Sequence, residues 1–188
     1  ITTDGTDGST TKLTKFWVTG LYGKSDNYTY VFENTEVSDT DENNVWDTET
    51  PGYWIPEQTY RFAAYSDGNQ SLPTGSRDKD DETSGVSYVN GTFRIRDYEA
   101  GSRDLVVAEV KEQDADDFIQ GFRNGNTPCV PLEFKHILSM LTFTFTNETN
   151  KEIEVTDIRF TVINKADFSN DSWTGVNDDN STERKLHA

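Results

Sequence analysis

Two imidazoles, His136 and His187, and one thiol, Cys129, are the residues this sequence offers for imidazole- or thiolate-based catalysis. Cys129 precedes His136 by seven residues. An activated thiolate also needs an oxyanion site and a group that orients the base, and no motif for either accompanies the pair. Pro128 and Val130-Pro131 enclose Cys129 as they would a small strand-edge hydrophobe, and His136 reads as a hydrogen-bonded structural histidine. The chain carries no phosphate-binding loop, no paired-glycine dinucleotide fingerprint, no H-E-x-x-H and no cysteine pair. Among 34 Asp and Glu, carboxylate pairs arise by chance and make no case for glycoside hydrolysis. The sequence therefore predicts a non-enzymatic protein with no cofactor.

Calcium chemistry is raised by Asp39-x-Asp41-x-Asn43, which begins like an EF-hand loop. The pattern then fails, because Asn44 stands where the turn needs glycine and Thr50 where a bidentate glutamate should close the site. Asp4-x-x-Asp7 and Asn177-Asp178-Asp179-Asn180 are no better formed, so all three read as solvated acidic loops and no metal site is predicted. Sugar binding is raised by four tryptophans. Trp46 and Trp173 stand among Asn, Asp, Ser and Thr, where an indole face and hydrogen-bonding groups could serve a glycan. The competing expectation is that these two indoles cover the rim of the fold.

Charge narrows the partners. The 188 residues hold 17 Lys and Arg and carry a formal charge of −17, which would repel a phosphate backbone or an anionic membrane surface. Nucleic acid is not an expected partner. No run approaches the ~20 apolar residues a transmembrane helix needs, and a single cysteine excludes an internal disulfide. No signal peptide is visible at Ile1, so an exported protein would have lost its targeting segment.

The elements that must position these residues read as strands. Ile1 to Thr11 lacks apolar periodicity and is expected to be a flexible leader unless something pairs with it. Leu13–Tyr22 and Tyr28–Phe32 alternate around a short link and form a hairpin, with Phe16 and Val18 on one face and Trp17 on the other. Trp54–Tyr65 is a long strand in which Tyr60, Phe62 and Ala64 point inward. Ser66 to Gly85 has the composition of a solvated loop. Val86–Val89 and Thr92–Ile95 flank Asn90-Gly91, a strong hairpin signal because both turn residues tolerate positive φ. Leu105–Val110 is apolar throughout, as in a strand buried on both faces. Asp114–Phe122 shows the chain's helical spacing, and Ile153–Val162 is the last clear strand.

Between them lies the stretch Leu132–Thr146. Leu141, Phe143 and Phe145 alternate with threonines, the pattern of a half-buried strand. Parity changes just upstream, so the chain is expected to bulge through Leu138-Ser139 and make a corner of the sheet. Seven or eight short strands with minimal helix predict an all-β sandwich with Greek-key connections over residues 12–168. Residues 169–188 read as a polar tail leading to a second domain.

This corner also carries a resemblance. Phe134-x-His136-x-Leu138-Ser139-x-Leu141-x-Phe143 resembles the H-x-L-S-x-L-x-F signature of the fimbrillin family, subunits of Bacteroides-type fimbriae and related surface proteins. Gly52-Tyr53-Trp54-Ile55-Pro56 with Tyr60-x-Phe62-Ala63-Ala64-Tyr65 is similar to the family's second conserved segment, and Arg103-Asp104-Leu105-Val106-Val107-Ala108 to a third. The three stand in the family's order over residues 13 to 165. The resemblance implies a transthyretin-like sandwich forming the amino-terminal half of a two-domain subunit, exported as an outer-membrane lipoprotein. It makes Trp54, Phe62, Asp104, His136, Leu138, Ser139 and Leu141 structural motif positions. It further implies an adhesive surface subunit whose partners are other fimbrial subunits, joined by β-strand exchange. A monomeric surface module binding a host or bacterial glycan or protein through Trp46 and Trp173 is the alternative. The chain by itself is expected to be monomeric, its charge opposing casual edge pairing.

Overall fold

A computed structural model describes residues 2–4, 10–24, 27–39, 46–78, 80–81, 83–101, 103–139, 144, 146–154, 158–175 and 181–186. In chain order the elements are β1 (Thr2–Asp4), β2 (Thr10–Lys12), β3 (Lys15–Lys24), β4 (Asn27–Ser38), β5 (Asp47–Thr48), β6 (Thr59–Asp67), β7 (Gly85–Val89), β8 (Thr92–Glu99), β9 (Leu105–Asp114), α1 (Ala115–Arg123), β10 (Lys135–His136), β11 (Ile158–Ile163), β12 (Lys165–Ser169), β13 (Ser172–Thr174) and β14 (Ser181–Leu186). Sheet I is six-stranded in the order β10-β9-β6-β3-β4-β5, and sheet II four-stranded in the order β13-β12-β8-β7. The pairings within both are antiparallel. The expected all-β sandwich is the architecture found.

Local sequence explains the hairpins. Ser25-Asp26 separates the paired Lys24 and Asn27, so β3 and β4 meet as expected. Asn90 and Gly91 have φ of 50° and 71°, which joins β7 to β8 through a turn whose twist matches that of the strands. The Asp114 carboxylate caps α1 by accepting the Asp116 N–H at 2.9 Å, and the helix ends at Asn124 before Gly125 with φ 78°.

The sandwich core lies between the sheets. Trp17, Leu21, Ala63, Tyr65, Leu105 and Val107 from sheet I meet Val86, Tyr88, Phe93, Ile95, Tyr98 and Phe168 from sheet II. Sheet I is also covered on its other face. There Phe16, Val18, Tyr60, Phe62 and Ala64 pack under Ala115 of α1, with Trp46, Trp54, Val130, Leu132 and Phe134 completing the layer. This corrects the one-sided reading of β6: Tyr60, Phe62 and Ala64 face the helix side, while Ala63 and Tyr65 face sheet II. Two-sided burial holds for Leu105–Ala108 of β9, as its apolar run predicts. Crowding is tight at the centre, where a Cβ on Gly20 would stand 2.9 Å from the Phe62 ring.

The polar excursion after β6 is exposed over most of its described residues, as a solvated loop would be, but it is anchored to both sheets. Its first part, residues 70–77, crosses the open side of the sandwich and joins the two sheets. The Gly75 N–H donates to Val86 O and the Val86 N–H to Pro73 O, at 2.8 and 2.9 Å. Asn34, in the left-handed region at φ 48°, is the centre of this strap. Its Oδ1 accepts from the Tyr65 hydroxyl at 2.6 Å, and its Nδ2 donates to Leu72 O and Thr74 Oγ1. The polar composition reflects a hydrogen-bonded crossing, in which every buried donor needs a partner.

Outside the main sheets, β1 pairs with β2, and β14 pairs with β11 over six residues. The polar segment after Phe168 thus carries two strands, β13 and β14. The predicted strand through Leu141, Phe143 and Phe145 lies outside the described residues, as do Asp7, Asp41, Asn43, Asn44 and residues 177–180. Of Ile153–Val162, the described part becomes strand at Ile158.

Candidate functional site

Asp104 and His136 of the motif set meet where β6 ends and β9 begins. Asp67, the last residue of β6, has a side chain only 2% exposed, and a buried carboxylate is tolerated only when its charge is met. Arg103 Nη2 lies 2.7 Å from Asp67 Oδ2, and the Tyr98 hydroxyl donates to Oδ1 at 3.3 Å. The bond to Asp67 holds the Arg103 guanidinium protonated beyond its already high range, and burial pushes the Tyr98 phenol up. Next to it the Gly68 N–H donates to Asp104 O at 3.0 Å, and the Asp104 carboxylate meets His136 Nδ1 at 2.5 Å.

His136 is held from two sides. The backbone of β10 pairs Lys135 and His136 with Val107 and Val106, and the Ile137 N–H donates to Leu105 O at 3.1 Å. The Ile137 carbonyl accepts from Trp173 Nε1 at 2.8 Å, tying β10 of sheet I to β13 of sheet II. Leu138 is half-buried against the inter-sheet core and Ser139 is exposed; Leu141 lies outside the described residues. An imidazole oriented by a carboxylate is also the arrangement of a general base. Here no hydroxyl or thiol is hydrogen-bonded to the ring among the described residues, and no such bond joins it to Cys129, which is exposed. The pair clasps two strands.

Losing the Arg103 charge should expose the cost of the buried Asp67. Arg103→Leu is expected to destabilise the fold by roughly 1–3 kcal/mol in urea melts, at the low end for a broken buried pair because the arginine side chain is half exposed. In an Asp67→Asn background the same change should cost much less. Equal costs in both backgrounds would detach Arg103 from that carboxylate.

The remaining sequence candidates are dispersed. Trp54 stacks on Phe118 at 4.1 Å and packs edge-on to Phe62, both on the helix side of sheet I. Trp46 is half-buried against Phe16 on that same side. Trp173 packs on Tyr98 and Phe168 at the sandwich core. Trp46 and Trp173 thus cover opposite faces of sheet I and form no common platform. Among the described residues no cluster of three or more His, Cys, Asp or Glu is arranged to hold a metal.

Among the described residues a long backbone edge of sheet I is unpaired. The twelve-residue β4 pairs outward with β5 only through Val37 and Ser38. No strand among the described residues lies beyond Asn27–Glu36 on that side. The family model for fimbrillin-like proteins matches residues 2–187, nearly the whole chain. The chain belongs to the fimbrillin-like family. Membership places it among the structural subunits of cell-surface fimbriae, which associate with other subunits. No curated protein and no solved structure matches this fimbrillin-like chain. No helix among its described residues is long and apolar enough to cross a membrane.

Sequence reasoning placed this fimbrillin-like chain's His136 and Asp104 in one motif set but missed Asp67 and Tyr98. The available signal was a carboxylate ending the buried β6 run, directly before a glycine with φ 55°.

Proposed function

We propose that this chain is a subunit that builds or decorates an adhesive surface filament, held there by β-strand exchange along the open edge of β4. The observation that carries this reading is the length of that edge: ten residues, 27–36, whose outward backbone groups meet no strand among the described residues. Edge strands of this length are usually shortened, covered or charged. One left open suits an extended segment from a neighbour, with main-chain bonds supplying affinity and alternate side chains supplying register. Export and outer-membrane anchoring, as the family resemblance implies, complete the proposal.

A photo-crosslinking residue at Thr29, exposed on β4, tests it in intact cells displaying the protein. It should trap an extended segment of an adjoining subunit, identified by mass spectrometry, whereas the same residue at Asp117, exposed on α1, should not. Equal yields at both positions, or crosslinks to no subunit, would overturn strand exchange at β4.

A further inference from the structure

Along β6 the residues facing sheet II are Arg61, Ala63 and Tyr65, so a cation occupies a core-facing position at the mouth of the sandwich. Arg61 lies at a register shift between β6 and β9 and opposite Leu21 of β3. Its guanidinium is 5.4 Å from the Tyr28 ring centroid and donates to Gly91 O at 3.4 Å. Arg77, Arg96, Arg103 and Lys165 each meet a carboxylate. Arg61 meets none among the described residues, in a chain with 34 acids. A half-buried guanidinium with most of its donors unused is a prepared seat for an anion.

Two neighbouring cavities share Tyr88 and Gly91 in their walls, and Arg61 lines the smaller; together they make a groove. A cavity of about 390 Å³ opens between Tyr28, Tyr30, Arg77 and Asn90, and a smaller one of about 90 Å³ between Arg61, Glu109, Lys111 and Asn170. The larger is within the size range of small-ligand clefts. Arg77 does not compete for the anion, because Glu33 binds it through two hydrogen bonds and it lies 3.7 Å over the Tyr30 ring. The Tyr28 hydroxyl, the Asn90 and Asn170 amides and the Lys111 ammonium have no hydrogen-bond partner among the described residues. Glu109 also lines the smaller cavity, its carboxyl pushed up by burial and by Asp171 and drawn down by Lys111 and Lys135.

An extended peptide fits this groove poorly. The outward carbonyl of Tyr88 already accepts from the Tyr30 hydroxyl at 3.2 Å, and both backbone groups of Val86 are taken by the strap. What is left is a set of side-chain donors and acceptors beside aromatic rings, the chemistry that recognises hydroxyl-rich ligands.

We propose that this groove binds an acidic saccharide, with a uronic- or sialic-type carboxylate seated on Arg61. Its hydroxyls meet Tyr28, Asn90 and Glu109, and its ring fills the larger cavity. The net charge of −17 opposes approach only at long range, and at physiological salt it is screened beyond about 8 Å.

Calorimetry and chemical-shift mapping at that salt would use oligogalacturonate, N-acetylneuraminic acid, their methyl esters, galactose and a glutamate-rich peptide as probes. At least one acid sugar should bind at low millimolar or tighter, and the two acid arms identify which source it is. Its ester and galactose should bind about tenfold more weakly, and Arg61→Gln should cause a similar loss at unchanged melting temperature. Should Arg61→Gln unfold the chain, Glu109→Gln decides: removing the opposing charge should tighten acid-sugar binding about twofold or more, which a merely structural residue would not do. Silence from both acid sugars at ~10 mM, equal binding of the esters, an unchanged Arg61→Gln, weaker binding by Glu109→Gln, or preference for the peptide would each overturn the proposal.

Discussion

Raising the pH above 10 should unfold this protein in one cooperative transition while the native fold still holds its central phenols neutral. Burial pushes the Tyr65 phenol up to about 12 and raises Tyr88 and Tyr98 as well, with Glu109 adding to Tyr88 and Asp67 to Tyr98. Each folded pKa lies above the unfolded value of about 10. Below pH 10 both states keep these protons. Above it the unfolded chain releases protons that the folded chain retains, so stability falls as pH rises. The slope is about 1.4 kcal/mol per pH unit for each phenol, or about 4 for the three together. About 4 kcal/mol is lost by pH 11 and about 8 by pH 12, enough to cancel a stability in the lower half of the typical range of about 5–15 kcal/mol. Tyrosinate absorbance and circular dichroism should therefore show coincident steps between about pH 11 and 12. Ionisation of these three phenols with the dichroism still native would mean that their burial is wrong.

Truncating the aromatic that joins the sheets should cost as much without any change of pH. Phe93 is the second residue of β8, just after the Asn90-Gly91 turn, is 1% exposed, and packs on Tyr88 with ring centroids 5.7 Å apart. Phe93→Ala removes that contact and leaves a cavity in an interior lined from both sheets, a loss of about 3–5 kcal/mol. Phe122→Ala, at the end of α1 and 52% exposed, should cost under about 1 kcal/mol. Similar shifts of the two urea midpoints would contradict the core assignment.

The sequence showed these features where a local rule was sufficient. Asn90-Gly91 demanded its turn, Asp114 its helix start and Leu105–Val110 its burial, because in each case the cause lies within a few residues. Features made by distant partners were hidden. The strap looks like loop because its order comes from Asn34 and Tyr65, 38 and 7 residues from Leu72. Trp46 and Trp173 sit among polar neighbours in the chain yet find Phe16 and Tyr98 in space. β14 has little apolar pattern because a backbone ladder does not require one. The Arg61 groove draws on several separated segments, and only the charge at a core-facing position of β6 marked it.

The two-sided covering of sheet I has a consequence for how this subunit tolerates change. Most sandwich strands keep one face in water, where mutation drifts freely and a partner can be recruited by a single exposed side chain. The middle of β6 has no such face: from Phe62 to Asp67 every residue is buried. Innovation at the centre of the sheet is therefore closed, and new contacts must arise elsewhere, as on β4 or the exposed side of α1. The cover formed by α1 and residues 124–134 is what imposes this. Without it the chain would present Phe16, Tyr60, Phe62 and Trp54 to solvent as one adhesive patch, and self-association would begin on a surface no neighbouring subunit was meant to meet.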